Sequence, residues 1–462
     1  MERPVNIKRS LVLAGGGLRL AYHAGVLKAL EEEGISFSHV DGTSGGIFGT
    51  AMMASGVSAS EAAVRWRKLK LRGFMRALPF GNYLGMHKFA GVGSASGIRD
   101  KIFPALGISV RKIRTHTAFD ATFNICNFSD KSIEAVHHSE VTEDHLIAGM
   151  SLPMVMPALK INDDWYTDAV WIKDANLTEA IRRGATEIWL VWCIGNTRDY
   201  LNGTLNQYVH MIEMSACGGL YSEIEWLRTY NANLLSEKLP PVQLYIIKPE
   251  YPLPLDPDFL LNRIDADTLI NMGYSDTVRL LSDGRPFDLN RSVNETTAMK
   301  DPGITVHFRQ QFRGSLAIGD ETSKCTVNIA FFLREISGHL KPQLYSSISF
   351  DGVNFISGYS NSVTTEKGCI QPAFMFKFNT EEHHIRLNIR ISQVTDFLLG
   401  LECKTALAYV TRNGAESGPY QLYQSPMDRI RNAFFLYTKA KLGWAGKRRA
   451  RGRILNTFFE KA

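Results

Sequence analysis

The sequence predicts an α/β domain with a mostly parallel sheet, followed by a β-rich, sandwich-like domain and a basic helical tail. Three observations carry this. Short apolar runs alternate with helical patterns through the first half of the chain, the rhythm of a parallel sheet covered on both faces. From about residue 300 the texture changes to alternating runs separated by turn residues. Beyond Pro426, aromatic residues mix with a cationic cluster. The expected domains are 1–290, 300–425 and 426–462.

The elements follow in order. "SLVLAGGG" is a short apolar strand running into glycines, and it reads as a buried first strand because its apolar run is too short for a signal-peptide core. "AYHAGVLKALEEEG" places Ala24, Leu27 and Leu30 at helical spacing, with Gly34 as the stop. "FSHVDGTSGG" is a second strand ending at Ser44, and "IFGTAMMASG" a buried helix ending at Gly56. "TEAIRRGA" followed by "TEIWLVWCI" repeats the helix-to-strand step. Residues 70 to 107 break the rhythm, being rich in glycine and apolar residues without a clean period. They are either a surface excursion with buried anchors or a mobile apolar flap over a site for greasy substrate. In the second half, Asp351-Gly352 and Asn413-Gly414 mark hairpins between alternating strands of an antiparallel sandwich or barrel.

Hydrophobic residues make up 45% of the 462 residues and charged residues 21%, the balance of a folded soluble protein. No run approaches the roughly 20 apolar residues of a membrane span. The six cysteines carry no C-x-x-C pair, which argues against metal clusters and disulfide frameworks and fits a reducing compartment. The net charge is +6, yet seven basic residues and no acid lie between Lys439 and Arg453. The rest of the chain is therefore close to neutral, and only the tail has a special attraction to polyanions.

The chemistry centres on Ser44 in G-T-S-G-G, with strand before and helix after. Gly42 and Gly46, two residues to either side, let the backbone fold tightly and expose the hydroxyl. The helix that follows points unsatisfied N–H groups and the positive end of its dipole at the hydroxyl. Oxyanion donors are offered by Gly15, Gly16 and Gly17 at the first strand-helix junction, since consecutive glycines let N–H groups converge on an anion. A dinucleotide loop is disfavoured, because Leu20 stands at the sixth position of the G-x-G-x-x-G pattern and no ribose acid follows. A base for Ser44 is harder to find. None of His87, His116, His137, His138, His145 and His210 sits at an apolar strand end. Asp168 follows a short hydrophobic hairpin, and a partly desolvated carboxylate can serve as general base. On composition alone Asp163, Asp164 and Asp174 are equally eligible.

Four ordered motifs now speak together: "GGGLRL" with "GVL" after it, "GTSGG", "AGMSLPMVMP", and "YTDAV" followed by "IKDANLTEAIRRGATEIWLV". In these the chain resembles the patatin-like phospholipase family from about residue 8 to 195, which implies a three-layer α/β domain. The resemblance implies a Ser-Asp dyad without histidine that hydrolyses acyl esters of lipids, with no metal or cofactor. Carried over, Ser44 is the nucleophile and Asp168 the base, and the N–H groups of Gly16 and Gly17, with Arg19 nearby, form the oxyanion hole. Three residues depart from the family pattern: Leu20 after Arg19, Ala169 after Asp168, and Ala14 before the glycines. The rival reading is a catalytically idle lipid-binding or scaffold protein on the same fold.

The β-rich segment has no such resemblance. His383-His384 reads as a solvated hairpin rather than a metal site. The tail holds Phe434, Phe435, Leu436, Tyr437, Leu442 and Trp444 beside the basic cluster. That composition suits an anionic membrane surface, or a C-terminal helix packed on the protein with a solvated basic edge. Nucleic acid is disfavoured because no recognition module accompanies the charge. The expected location is cytoplasmic, peripheral at the inner face of a membrane, with an acyl-ester lipid as partner.

Overall fold

A computed structural model of the chain describes residues 7–69, 95–153, 156–195, 200, 202–253, 265–318, 321–350, 354–366, 368–390, 405–429, 436–440 and 442–460. The chain divides into two compact units, one of Met1–Asp256 with Asp276–Met299 and one of Pro257–Ser275 with Lys300–Ala462.

Unit 1 is built on β1 (Arg9–Leu13), β2 (His39–Thr43), β3 (Asp120–Asn127), β4 (Ser132–His137), β5 (Leu159–Ile161), β6 (Asp164–Asp168), β7 (Glu187–Val191) and β8 (Gln243–Ile247). The order β3-β2-β1-β7-β8 is parallel throughout. β6 and β4 join β3 antiparallel, and β5 joins β6 antiparallel. The sheet is thus mixed rather than mostly parallel, with β4, β5 and β6 supplying the antiparallel pairings. Consecutive residues of β1 face opposite sides of the sheet, and Leu11, Val12 and Leu13 are all fully buried, as a parallel strand covered twice requires. Val12 packs with Leu177, Leu190, Leu220 and Ile224. Leu13 meets α2 (Gly46–Ala54) on the other side, where a Cβ on Gly49 would lie 2.7 Å from its Cδ1. The preceding α1 (Ala21–Glu32) ends two residues before Gly34, whose φ of +68° confirms the stop.

The expected flap is only partly visible. Residues 70–94 lie outside the described residues. The remainder forms short helical turns from Ala95 to Leu106, with Ile98, Ile102, Phe103 and Leu106 buried. Those four side chains are core, not lid.

Unit 2 is one antiparallel sheet, not a two-sheet sandwich. Its long strands are β9 (Ile304–Ile318), β10 (Glu321–Ile336) and β11 (His339–Phe350). They are followed by β12 (Asn354–Ser357), β13 (Tyr359–Glu366), β14 (Cys369–Phe378), β15 (Glu381–Arg390), β16 (Thr405–Arg412) and β17 (Ala415–Tyr423). The order runs β12-β11-β10-β9-β17-β16-β15-β14-β13, and a short β18 (Tyr437–Lys439) also pairs with β9. The two edge strands, β12 and β13, are joined by Gly358 alone, whose N–H donates to Ser346 of β11 (2.8 Å). The sheet is therefore nearly closed, and strands this long coil enough for one sheet to enclose its own core. Phe308, Phe312, Phe331, Phe374 and Phe376 fill it. Asn413 and Gly414, both at positive φ, make the two-residue turn between β16 and β17.

One expectation changes here, and the packed-helix reading of the tail gains support. His383 is 1% exposed and stacks on Phe376 at 5.3 Å. Its strand alternates inward at His383, Ile385, Leu387 and Ile389, so the histidine is a core residue and not part of a solvated hairpin. The C-terminal helix Trp444–Glu460 is not a free amphipathic face either. Ile454, Leu455, Phe458 and Phe459 belong to the β core. Its first half stays outside, with Trp444 78% exposed. Phe434 and Phe435 lie outside the described residues.

Candidate active site

Ser44 stands between the end of β2 and the start of α2, with φ of +51°. A left-handed φ is costly for a residue with a Cβ, and such strain is found where a turn must present a side chain. The surroundings leave no room for a larger turn. A Cβ on Gly42 would meet Thr50 Oγ1 at 2.5 Å, and one on Gly46 would meet the Leu13 carbonyl oxygen at 1.9 Å. Leu20, where the family pattern has glycine, packs its Cδ2 over Gly45, at 2.3 Å from the place a Cβ would occupy. That departure is accommodated inside the elbow.

Strand register delivers Asp168. Thr43 on β2 pairs with Asn124 on β3, and Ile125, the next residue of β3, pairs with Asp168 at the end of β6. Although β6 runs antiparallel, it stops at the level of Ser44. The Ser44 hydroxyl donates to Asp168 Oδ2 at 2.6 Å, and the Val170 N–H donates to Asp168 Oδ1 at 2.9 Å. Asp168 is 1% exposed. Burial pushes its carboxyl up to about 7, against the opposing pull of the bonds from Ser44 and Val170. Ala169 opens a 3-10 turn, Ala169–Trp171, and is not among the residues with positive φ. The backbone there does not call for the glycine that Ala169 replaces.

The other acids are elsewhere. Asp163 is exposed at the hairpin tip and Asp164 begins β6. Asp174 is fully buried and accepts the Gly15 N–H on both carboxylate oxygens, each at 3.0 Å. The Gly15 N–H is therefore engaged by Asp174. Gly16 follows in extended backbone and Gly17 at φ +58°. Arg19 is buried, its guanidinium reaching the Cys193 carbonyl at 3.5 Å.

Among the described histidines, none hydrogen-bonds Ser44. His116, His137 and His138 gather with Asp120 at the amino end of β3, the end of the sheet away from Ser44. His145 closes the capping box of the helix Glu143–Ala148, and His210 faces Glu213 at 3.5 Å. His87 lies outside the described residues. The cluster of Asp120, His137 and His138 is close enough to suggest a metal. Both ring nitrogens of His138 are already used, however: Nδ1 accepts the Ala121 N–H and Nε2 donates to the His116 carbonyl, each at 3.1 Å.

Beneath the elbow lies a buried polar network that the sequence reading missed. Asp41 accepts from Thr122 (2.5 Å) and Asn124 (2.6 Å). Asn124 also donates to Thr43 (2.9 Å) and accepts from Asn176 (2.8 Å). Asn176 in turn caps the helix Leu177–Arg182. The network ties the strand before Ser44 to the segment after Asp168. Its one readable signal was Asn176, a cap residue three positions before Glu179.

The family model for "Patatin-like phospholipase" matches residues 11–181. Lysophospholipase NTE1 of Kluyveromyces lactis is 27% identical over 190 residues, covering 39% of this chain and 12% of that protein. The Saccharomyces cerevisiae protein of the same name is 29% identical over 188 residues, 39% of this chain and 10% of that one. Patatin-like phospholipase domain-containing protein 6 of Mus musculus is 51% identical over 59 residues, 13% of this chain and 4% of that protein. The matches thus span about a tenth or less of these relatives' length. A solved structure, VipD from Legionella pneumophila, aligns with a TM-score of 0.31 and 11% identity over 61% of this chain and 68% of that chain, too distant to carry detail. Residues 11–181 of this chain thus match the patatin-like phospholipase family model.

Proposed function

We propose that the chain hydrolyses fatty-acyl esters of lipids, phospholipids or lysophospholipids, through Ser44 and Asp168. The observation that carries this is the 2.6 Å hydrogen bond from a strained turn serine to a buried carboxylate. Asp168 takes the Ser44 proton as Oγ attacks the acyl carbonyl carbon. The N–H groups of Gly16 and Gly17 hold the oxyanion. Collapse breaks the ester bond, and the leaving alcohol takes the proton from Asp168. Asp168 then deprotonates a water that attacks the acyl-enzyme, fatty acid leaves, and Ser44 regains its proton. No step calls for a metal.

The partner is a lipid surface. No helix among the described residues is long and apolar enough to cross a membrane. Leu442 and Trp444 are 42% and 78% exposed, with the Arg448 guanidinium 5.9 Å from the Trp444 ring. Aromatic and cationic side chains together suit an anionic membrane interface. The role is peripheral, at the inner face of a membrane.

The test is release of free fatty acid from mixed phospholipid vesicles by the wild type and by Ser44→Ala, alongside labelling with a fluorophosphonate. Release and labelling by the wild type alone support the dyad enzyme. Vesicle binding without release or labelling by either would instead identify a catalytically idle lipid-binding protein.

A further inference from the structure

Gly15 packs against two side chains. The Asp174 carboxyl group receives its N–H on both oxygens at 3.0 Å. A Cβ added to Gly15 would lie 2.5 Å from Asp174 Oδ1, 2.9 Å from Ser44 Cβ and 3.2 Å from Ser44 Oγ, so both side chains crowd the same face of the residue. The Gly15 carbonyl is also engaged, receiving the Cys193 thiol at 3.3 Å. The loop is thus fixed on both polar groups of the residue just before Gly16 and Gly17. Asp174 is fully buried and sits six residues after Asp168, beyond the turn Ala169–Trp171. One short segment therefore supplies both the acid on Ser44 and the acid on the glycine loop.

We propose that Asp174 is a positioning residue for the reaction: it fixes Gly15 against Ser44, so that the next two N–H groups meet the oxyanion. This rests on the reading of Ser44 and Asp168 as the dyad. A donor set must be aligned before the charge develops, because reorganisation during the reaction forfeits its advantage. Loop glycines have the largest conformational freedom to lose, and a buried acceptor removes it at this one position. Burial and the nearby Asp168 carboxylate push the Asp174 carboxyl well up. An amide oxygen at this position can accept the Gly15 N–H in place of one of the two carboxyl oxygens.

The test compares Asp174→Ala and Asp174→Asn in the full chain, using a short-chain p-nitrophenyl ester to separate chemistry from membrane binding. Asp174→Ala is expected to lower kcat by about 100-fold with KM nearly unchanged, the size of losing one oxyanion donor. Asp174→Asn is expected to stay within about tenfold of wild type, because its amide oxygen still accepts the Gly15 N–H. Amide hydrogen exchange of the peptide spanning Ala14 to Gly17 is read in parallel. It should quicken in Asp174→Ala and stay slow in Asp174→Asn. Wild-type kcat in Asp174→Ala, or unchanged exchange there, overturns the proposal, as does a 100-fold loss in Asp174→Asn. If Asp174→Ala does not fold, Asp174→Asn decides alone. A wild type that cleaves no ester, with exchange moving as expected, defeats the dyad reading and leaves the brace standing.

Discussion

Gly46 and Leu13 meet where no methyl group fits: a Cβ on Gly46 would stand 1.9 Å from the Leu13 carbonyl oxygen. The first turn of α2 thus rests on the end of β1, which draws the serine elbow and the glycine loop together. Gly46→Ala must push them apart, because the obstacle is backbone. Overpacking of this kind costs on the order of 1–3 kcal/mol, and a displacement near 1 Å at a reacting group costs about 10²-fold in rate. Gly56 supplies the control. It has φ of +76° but nothing within 4 Å of its Cβ position, so Gly56→Ala should cost about 1–2 kcal/mol of backbone strain and leave turnover per folded molecule unchanged. Urea denaturation and ester hydrolysis, read on both variants, separate the two effects.

Asp168 makes turnover depend on pH. Its carboxyl is pushed up to about 7 by burial, and only the ionised form can take the Ser44 proton. The expected kcat/KM rises with pH and levels off above an apparent midpoint near 7. A profile already level at pH 5 would remove Asp168 as the base.

The positions of Ser44 and Asp168 were legible because each obeys a local rule: a serine among small residues at a strand-helix turn, and an acid closing a hairpin. Preferring Asp168 over Asp163, Asp164 and Asp174 needed the family resemblance, and its place beside Ser44 was not a local matter. It follows from the register that sets Ile125 opposite Asp168 and Asn124 opposite Thr43, and one-chain periodicity carries no register. The same gap hid the Asp41, Asn124 and Asn176 network, whose members come from three separate segments. In unit 2 the alternation of β9 to β17 was readable. Whether the strands form two sheets or one coiled sheet depends on which edges meet, here β12 and β13, and alternation is the same in both. His383 was misread as solvated because two glutamates precede it; its inward phase is set by Ile385 and Leu387 after it.

Stability should respond to pH in the opposite sense to turnover. Burial raises the carboxyls of Asp41 and Asp168 to about 7 and that of Asp276 to about 6. A folded-state carboxyl raised above its unfolded value binds more protons when folded, so its contribution is present at low pH and lost as pH rises through the folded value. The buried His23 and His39, lowered to about 4 and about 3, act the other way below their unfolded value of 6.5. The net slope is therefore mixed, but a difference isolates one group. Between pH 4 and 7 the wild type should lose stability relative to Asp168→Asn, measured by urea denaturation at each pH. Parallel pH dependence in the two proteins would show that Asp168 does not titrate high in the fold.

The C-terminal helix offers a contrast inside a single element. Phe458 is 2% exposed and meets Phe331 edge-on at 6.5 Å within the β core, whereas Trp444 at the other end is 78% exposed. Phe458→Ala should destabilise unit 2 by about 3–5 kcal/mol, the usual cost of emptying a buried phenylalanine site. Trp444→Ala should change stability by no more than about 0.5 kcal/mol. Binding to anionic vesicles should reverse that order at temperatures where both variants remain folded. Trp444→Ala loses an interfacial aromatic and should bind more weakly, while Phe458→Ala keeps the exposed half of the helix and should bind as the wild type does. Thermal melting with vesicle sedimentation on the two variants reads both quantities. Equal stability losses would mean that the helix packs along its whole length, and unchanged vesicle binding in Trp444→Ala would remove this end of the helix from the lipid contact.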